Sequence, residues 1–177
     1  EIPQFLNLNK SISLLKSFLI PKTNQNSDKK IYITREDSYY RKIVNEADIM
    51  PVLRSKGYKV INPQLYNIDE QIRIFSQAEK IIAPHGSNLT NIVFCKPGTK
   101  IYEIGPEFKH DYEKVFENRY KELAEINKLE YFRFLTDTVP VQSHSDTAKA
   151  YINKKILESS NYYKNLIVNV KDINKFT

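Results

Sequence analysis

From Lys30 onward, short apolar, β-prone runs alternate with polar turns and amphipathic helical stretches, the pattern of a chain that winds strand and helix in turn. Strands are predicted at residues 30–34, 58–61, 80–83, 100–104, 130–134 and 166–170. They are short and rarely alternate strictly, as strands buried on both faces do. Helices are predicted at about residues 46–56, 69–78, 88–94, 112–127 and 148–159, with Pro51 expected to bend or delay the first. Asp69, with Gln71 and Ile72 after the turn PQLYNI, reads as a helix start. Ahead of this lies one amphipathic stretch, residues 11–19, and then the polar run PKTNQNSDKK, expected to be an exposed connection. The division expected is an N-terminal helical segment and linker over residues 1–29 and an α/β domain over 30–177. Such an order specifies a Rossmann-like, mainly parallel sheet with flanking helices, whose ligands bind outside the carboxyl ends of the strands.

With 41% hydrophobic and 27% charged residues, the chain has the balance of an ordinary globular protein. Its longest apolar stretches are broken by Ser and Lys and fall short of the about 20 residues a bilayer requires, so no transmembrane segment is expected. No charged-then-apolar leader follows Glu1, so any anchor or partner domain is expected outside these residues. The net charge of +6 suits an anionic partner. The excess is scattered Lys with no RNP-type or zinc-finger pattern, and a nucleic-acid role rests on charge alone; none is expected as a partner. The single Cys95, in the run IVFCK, excludes an internal disulfide and a Cys-based zinc site and reads as a small buried apolar residue. His85, His110 and His144 are isolated and no DxD or HExxH occurs, so no metal is expected. A GxSxG elbow, a GxGxxG fingerprint and a P-loop are likewise missing.

The residues that carry chemistry cluster at predicted strand ends. Arg35 leaves the first strand in IYITRED, and Arg41 follows at the entry to the next helix. Two planar guanidinium forks can neutralise a diphosphate, although surface ion pairs with Glu36, Asp37 or Glu46 would also account for them. Asn45 and Glu46 suit the start of that helix as cap and dipole partner; alternatively Glu46 orients an Arg while Asn45 bonds ligand or loop. In AEKIIAPHGSNLTNIVF a strand runs into His85 and Gly86, and a helix begins near Ser87 or Asn88. Gly86 would allow a tight turn and close approach of a ligand, and the amides of Ser87, Asn88 and Leu89 would face an anion. His85 can donate to a phosphate oxygen or a sugar hydroxyl, or be satisfied by neighbouring backbone. Its use as a catalytic base is disfavoured. Asn88-Leu89-Thr90 also spells a glycosylation sequon, discounted at a helix start beside a buried sheet. Glu103, in KIYEIGP, either holds ribose hydroxyls or is a structural carboxylate bonded to backbone or to His85.

In order, IYITR, RKIVNE, LRSKGYKVINP, EQIRIFSQAEKIIAPHGSNLTNIVF and GTKIYEIGP resemble glycosyltransferase family 61, the capsular-polysaccharide-type (DUF563) domain, over about residues 30–134. The resemblance implies the C-terminal, donor-binding half of a two-domain GT-B enzyme whose N-terminal half is absent, so that this half is expected to bind donor and not necessarily to act alone. It implies inverting, metal-independent transfer from a nucleotide-sugar donor, usually UDP-linked, to a glycan or protein hydroxyl, with no cofactor. Carried over, Arg35 and Arg41 match diphosphate ligands, Asn45 and Glu46 the supporting NE, His85, Gly86, Ser87 and Asn88 the HG loop at the donor, and Glu103 the acidic residue near the nucleoside. Ser87-Asn88 departs from the Ala-Gly or Ala-Gln frequent in the family. The general base is not placed. A noncatalytic nucleotide- or phosphate-binding module of the same fold is the alternative, and the expected setting is the cytoplasm, with a Golgi or ER lumen second.

Overall fold

Five short strands, β1 (Lys30–Ile33), β2 (Lys59–Ile61), β3 (Lys80–Pro84), β4 (Lys100–Gly105) and β5 (Glu130–Leu135), form a parallel sheet in the order β2-β1-β3-β4-β5. They are seen in a computed structural model that describes residues 4–20 and 28–176, with residues 4–9 described by backbone alone. Of the predicted polar connection, residues 21–27 lie outside the described residues.

Period-two alternation gives the central strands β1, β3 and β4 two largely apolar faces. Ile31, Ile33, Ile81, Ala83 and Ile101 turn to one side, under α3 (Ile68–Gln77), α5 (Arg119–Ile126) and a 3-10 segment, Ser87–Phe94. Tyr32, Ile82, Tyr102 and Ile104 turn to the other, under α2 (Glu46–Ser55) and a C-terminal 3-10 segment, Val170–Phe176. Both faces are therefore covered, as a parallel sheet requires. The chain passes from β1 outward to β2 and then back across β1 to β3. At such a reversal the loops leaving the carboxyl ends diverge and open a crevice, here between β1 and β3.

The α/β architecture and the five parallel strands match the sequence reading, and four details depart from it. The sixth predicted strand is shorter, β7 (Asn165–Ile167), and lies outside the main sheet, pairing antiparallel with an unpredicted β6 (Asp137–Val139). The predicted helix 88–94 is a 3-10 segment: its fully buried Leu89 and Ile92, with Cys95 just beyond, recur every third residue, which suits three residues per turn. The predicted helix 112–127 divides at Asn118 into α4 (Asp111–Glu117) and α5. The predicted helix 148–159 divides into α6 (Asp146–Tyr151), capped by Ser145, and α7 (Lys154–Ser159), capped by Asn153. Elsewhere α2 starts at Glu46 and accommodates Pro51, while α3 starts with a capping box between Asn67 and Glu70.

Helix α1 (Gln4–Leu19) reaches the domain through buried Ile12 and through Lys16, whose Nζ donates to the Cys95 carbonyl at 2.7 Å and to Asn127 Oδ1 at 2.9 Å. Among the described residues no helix is long and apolar enough to cross a membrane.

Candidate functional site

The crevice between β1 and β3 receives Arg35 from one strand end and the His85-Gly86 turn from the other. Arg35 is buried, with 9% of its surface exposed. Its guanidinium lies against Gly86 so closely that a Cβ there would stand 1.9 Å from Nη1. Gly86 is extended, with φ 166°, so its lack of a side chain matters for this approach and not for backbone freedom. Among the described residues Arg35 Nε has no partner, and the one bond of its side chain is a long 3.4 Å contact from Nη2 to the Tyr40 carbonyl.

Arg41, 7% exposed, adopts the left-handed conformation at φ 58°, unusual for a bulky residue. A bond from its amide to the Lys164 carbonyl, 2.8 Å, holds it there. Its Nε donates to the His85 carbonyl at 3.1 Å and its Nη1 to the Tyr162 carbonyl at 2.5 Å, and the guanidinium sits 3.9 Å from the centre of the Tyr162 ring. Among the described residues neither arginine is ion-paired with a carboxylate, so the alternative of surface ion pairs with Glu36, Asp37 or Glu46 is not what the structure contains. Burial, then the neighbouring charge of Arg41, pushes Arg35 down to about 10, which leaves it cationic at neutral pH. Burial also lowers Arg41. Two desolvated cations side by side without a counter-charge are unfavourable, and an anion in the crevice would relieve both.

His85 is fixed from behind. Its Nδ1 lies 2.7 Å from Glu103 Oε1, and the Tyr131 hydroxyl donates to Glu103 Oε2, also at 2.7 Å. Arg133 stands 3.7 Å from Oε1 and is itself tied to Glu117 and to the Pro106 carbonyl. Phe108 and Tyr120 meet the imidazole edge-on, each with ring centres 5.2 Å apart. Burial lowers the His85 pKa, against the opposing pull of Glu103. Burial and then Glu103 raise that of Tyr131.

The remaining predicted residues fall as follows. Ser87, exposed, and Asn88, half-buried, open the 3-10 segment at the crevice. The Leu89 amide is not free as expected, because it donates to the Gly86 carbonyl at 2.9 Å; Ser87 and Asn88 supply the first amides. Asn45 occupies the cap position of α2 without capping it, and instead exchanges two bonds with the Val168 backbone, at 2.8 and 3.0 Å. Among the described residues Glu46 bonds no arginine; it accepts from Tyr32 at 2.5 Å and Thr34 at 2.9 Å, because the first turn of α2 returns it to the end of β1. Glu103 is fully buried with both oxygens engaged, the structural of its two readings, and not open to ribose. Tyr120, Tyr131 and Tyr162 belong to the cluster and were missed. The alternation in EYFRFL was a usable signal: β5 pairs with β4 so that Tyr131 stands beside Ile101 and Arg133 beside Glu103.

Beside this cluster a groove of about 770 Å³ is lined in part by Glu36, Asp37 and Tyr39 of the loop joining the two arginines, by Lys42 just after it and by Gln142. The arginines and His85 do not line it. Among the described residues no group of three or more His, Cys, Asp and Glu could hold a metal ion.

A sequence model of the family described as Glycosyltransferase 61 matches residues 3–102, which include Arg35, Arg41, Asn45, Glu46 and His85 to Asn88. The chain is also similar to the beta-1,2-xylosyltransferase RCN11 of Oryza sativa subsp. japonica, with 28% identity over 111 residues, covering 53% of this chain and 21% of that protein. The chain thus spans about a fifth of the length of that rice relative.

Proposed function

The chain belongs to the glycosyltransferase 61 family, and on that premise we propose that it forms the donor-binding part of a GT-B glycosyltransferase that transfers a sugar from a nucleotide-sugar, UDP-linked in this reading, to a glycan or protein hydroxyl. The observation that carries the proposal is the pair of buried arginines without a carboxylate partner among the described residues, set at the reversal point of a parallel sheet beside the Ser87 and Asn88 amides. A diphosphate supplies the charge this arrangement lacks. Two guanidinium groups and the first amides of the 3-10 segment can stabilise a departing nucleoside diphosphate electrostatically, which supports metal-independent transfer. Inversion and a general base outside this chain complete the reading. The name of the rice relative puts a pentosyl donor beside hexosyl ones, so UDP-xylose belongs among the donors to try.

Calorimetric titration of the chain with UDP, GDP and CDP tests this directly. UDP is expected to bind, and Arg35→Ala is expected to weaken it about ten- to hundredfold, the worth of charge-assisted bonds in a desolvated site. Failure of a folded chain to bind any nucleotide would sink the proposal. A noncatalytic binding module of the same fold predicts the same titration, and differs in that a protein extended to the full length of its relatives would neither hydrolyse nor transfer from the donor.

A further inference from the structure

The atoms behind His85 decide what it can recognise. Glu103 is fully buried and receives the Tyr131 hydroxyl on one oxygen and His85 Nδ1 on the other. A carboxylate in that position only accepts, so the proton of the contact belongs to Nδ1. In a neutral imidazole the other nitrogen, Nε2, then carries a lone pair and no hydrogen. The groups around the ring are Glu103 of β4, Tyr131 and Arg133 of β5, Tyr120 of α5 and Arg41 of the loop after β1. Burial and the two arginines oppose a charge on the ring, and Glu103 alone favours it.

We propose that His85 recognises a hydroxyl of the ligand by accepting its hydrogen bond at Nε2, while the phosphates go to Arg35, Arg41 and the Ser87 and Asn88 amides. An ionised phosphate oxygen has no proton to give, and two lone pairs facing one another repel; a sugar hydroxyl supplies the proton the lone pair lacks. Glu103 and Tyr131 are positioning residues that fix the tautomer. The proposal rests on the donor-site reading above and divides that site by chemistry into a cationic part for the diphosphate and a neutral acceptor for a ribose or transferred-sugar hydroxyl.

The test uses the whole chain. Nitrogen NMR of His85 at neutral pH is expected to show a protonated Nδ1 and a bare Nε2, an arrangement that Glu103→Gln disturbs. Titrations with UDP, its 2′-deoxy and 3′-deoxy analogues, UDP-glucose and UDP-xylose then distinguish a ribose hydroxyl from one on the transferred sugar. Loss of the recognised hydroxyl is expected to cost the unaltered chain about five- to tenfold in affinity and to cost His85→Phe nothing. UDP-sugars serve for the pH series because their diphosphate diester keeps its charge across the histidine range, about pH 5.5 to 7.5. A protonated Nε2 in the free chain, equal binding of every analogue, or UDP-sugar affinity that climbs as pH falls only when His85 is present would each overturn the proposal. Binding that depends on Arg35 but not on His85 overturns it alone, whereas no nucleotide binding at all removes the donor site as well. Should His85→Phe fail to give a folded amide spectrum, the tautomer and the analogue series on the unaltered chain decide.

Discussion

Arg35 and Gly86 form a matched pair, because the guanidinium occupies the space that any side chain at position 86 would need. Since φ 166° is open to every residue, Gly86→Ala places no strain on the backbone, and the flexible end of Arg35 can move aside. The expected result is a protein whose unfolding free energy changes by less than about 1 kcal/mol but which binds UDP more weakly than the unaltered chain, read by urea denaturation and calorimetry side by side. Unchanged affinity would separate Arg35 from the ligand. At this scale the sequence was informative where a residue's chemistry alone marks it: Arg35, Arg41, His85 and Gly86 were singled out, and the structure brings them together. It was less so where the partner decides. Asn45, Glu46 and Glu103 were recognised as polar residues at the right edge, yet each satisfies a bond to Val168, to Tyr32 and Thr34, or to His85 and Tyr131 that only the folded register creates.

Between elements, the start of α4 is tied to the segment after α7 by one buried carboxylate. Glu113 accepts from the amides of Lys109 and His110, both at 3.0 Å, from the Tyr162 amide at 3.1 Å, and from the Ser160 hydroxyl. Burial raises its pKa, and these hydrogen bonds outweigh that and leave the carboxyl below its usual value. With the folded value depressed, the stabilisation is complete above the ordinary carboxylate pKa, about 4.3, and is lost as pH falls through the lowered folded value. Glu113→Gln is therefore expected to cost about 1–3 kcal/mol at neutral pH and to flatten the acid limb of the stability curve, both measurable by urea unfolding between acid and neutral pH. An acid limb identical to that of the unaltered chain would assign it to other groups. Helix breaks were harder to foresee than helices. Asn118 and Asn153 end or start helices here, but in sequence each also fits the polar face of a continuous one, and packing decides.

For the whole molecule, the consequential surprise is the last stretch of chain. Residues after Ser160 return beside the loop that carries Arg41: the Tyr162 and Lys164 carbonyls hold that arginine, Leu166 bridges Ile43, and Asn45 clasps Val168. Beyond them Ile173 and Phe176 close the second face of the sheet, where the Tyr58 hydroxyl donates to the Phe176 carbonyl at 2.8 Å. The sequence reading saw a sixth strand there because LIVNV has β propensity, but propensity does not say which sheet a strand joins. A chain ending at Ser159 would lose Leu166, Val168, Ile173 and Phe176, all buried. At about 1.5–3 kcal/mol for each buried side chain, the loss is on the order of 6–12 kcal/mol, comparable with the whole stability of a domain, about 5–15 kcal/mol. The truncated chain is expected to lose its cooperative urea transition and the dispersion of its amide spectrum, and to bind no nucleotide even though Arg35, Arg41 and the His85 turn are all retained. Cooperative unfolding of that shortened chain would place the final segment outside the core. Cooperative unfolding with UDP affinity intact would further show that Arg41 keeps its left-handed conformation without the Lys164 and Tyr162 carbonyls, and that the crevice is built by the parallel sheet alone.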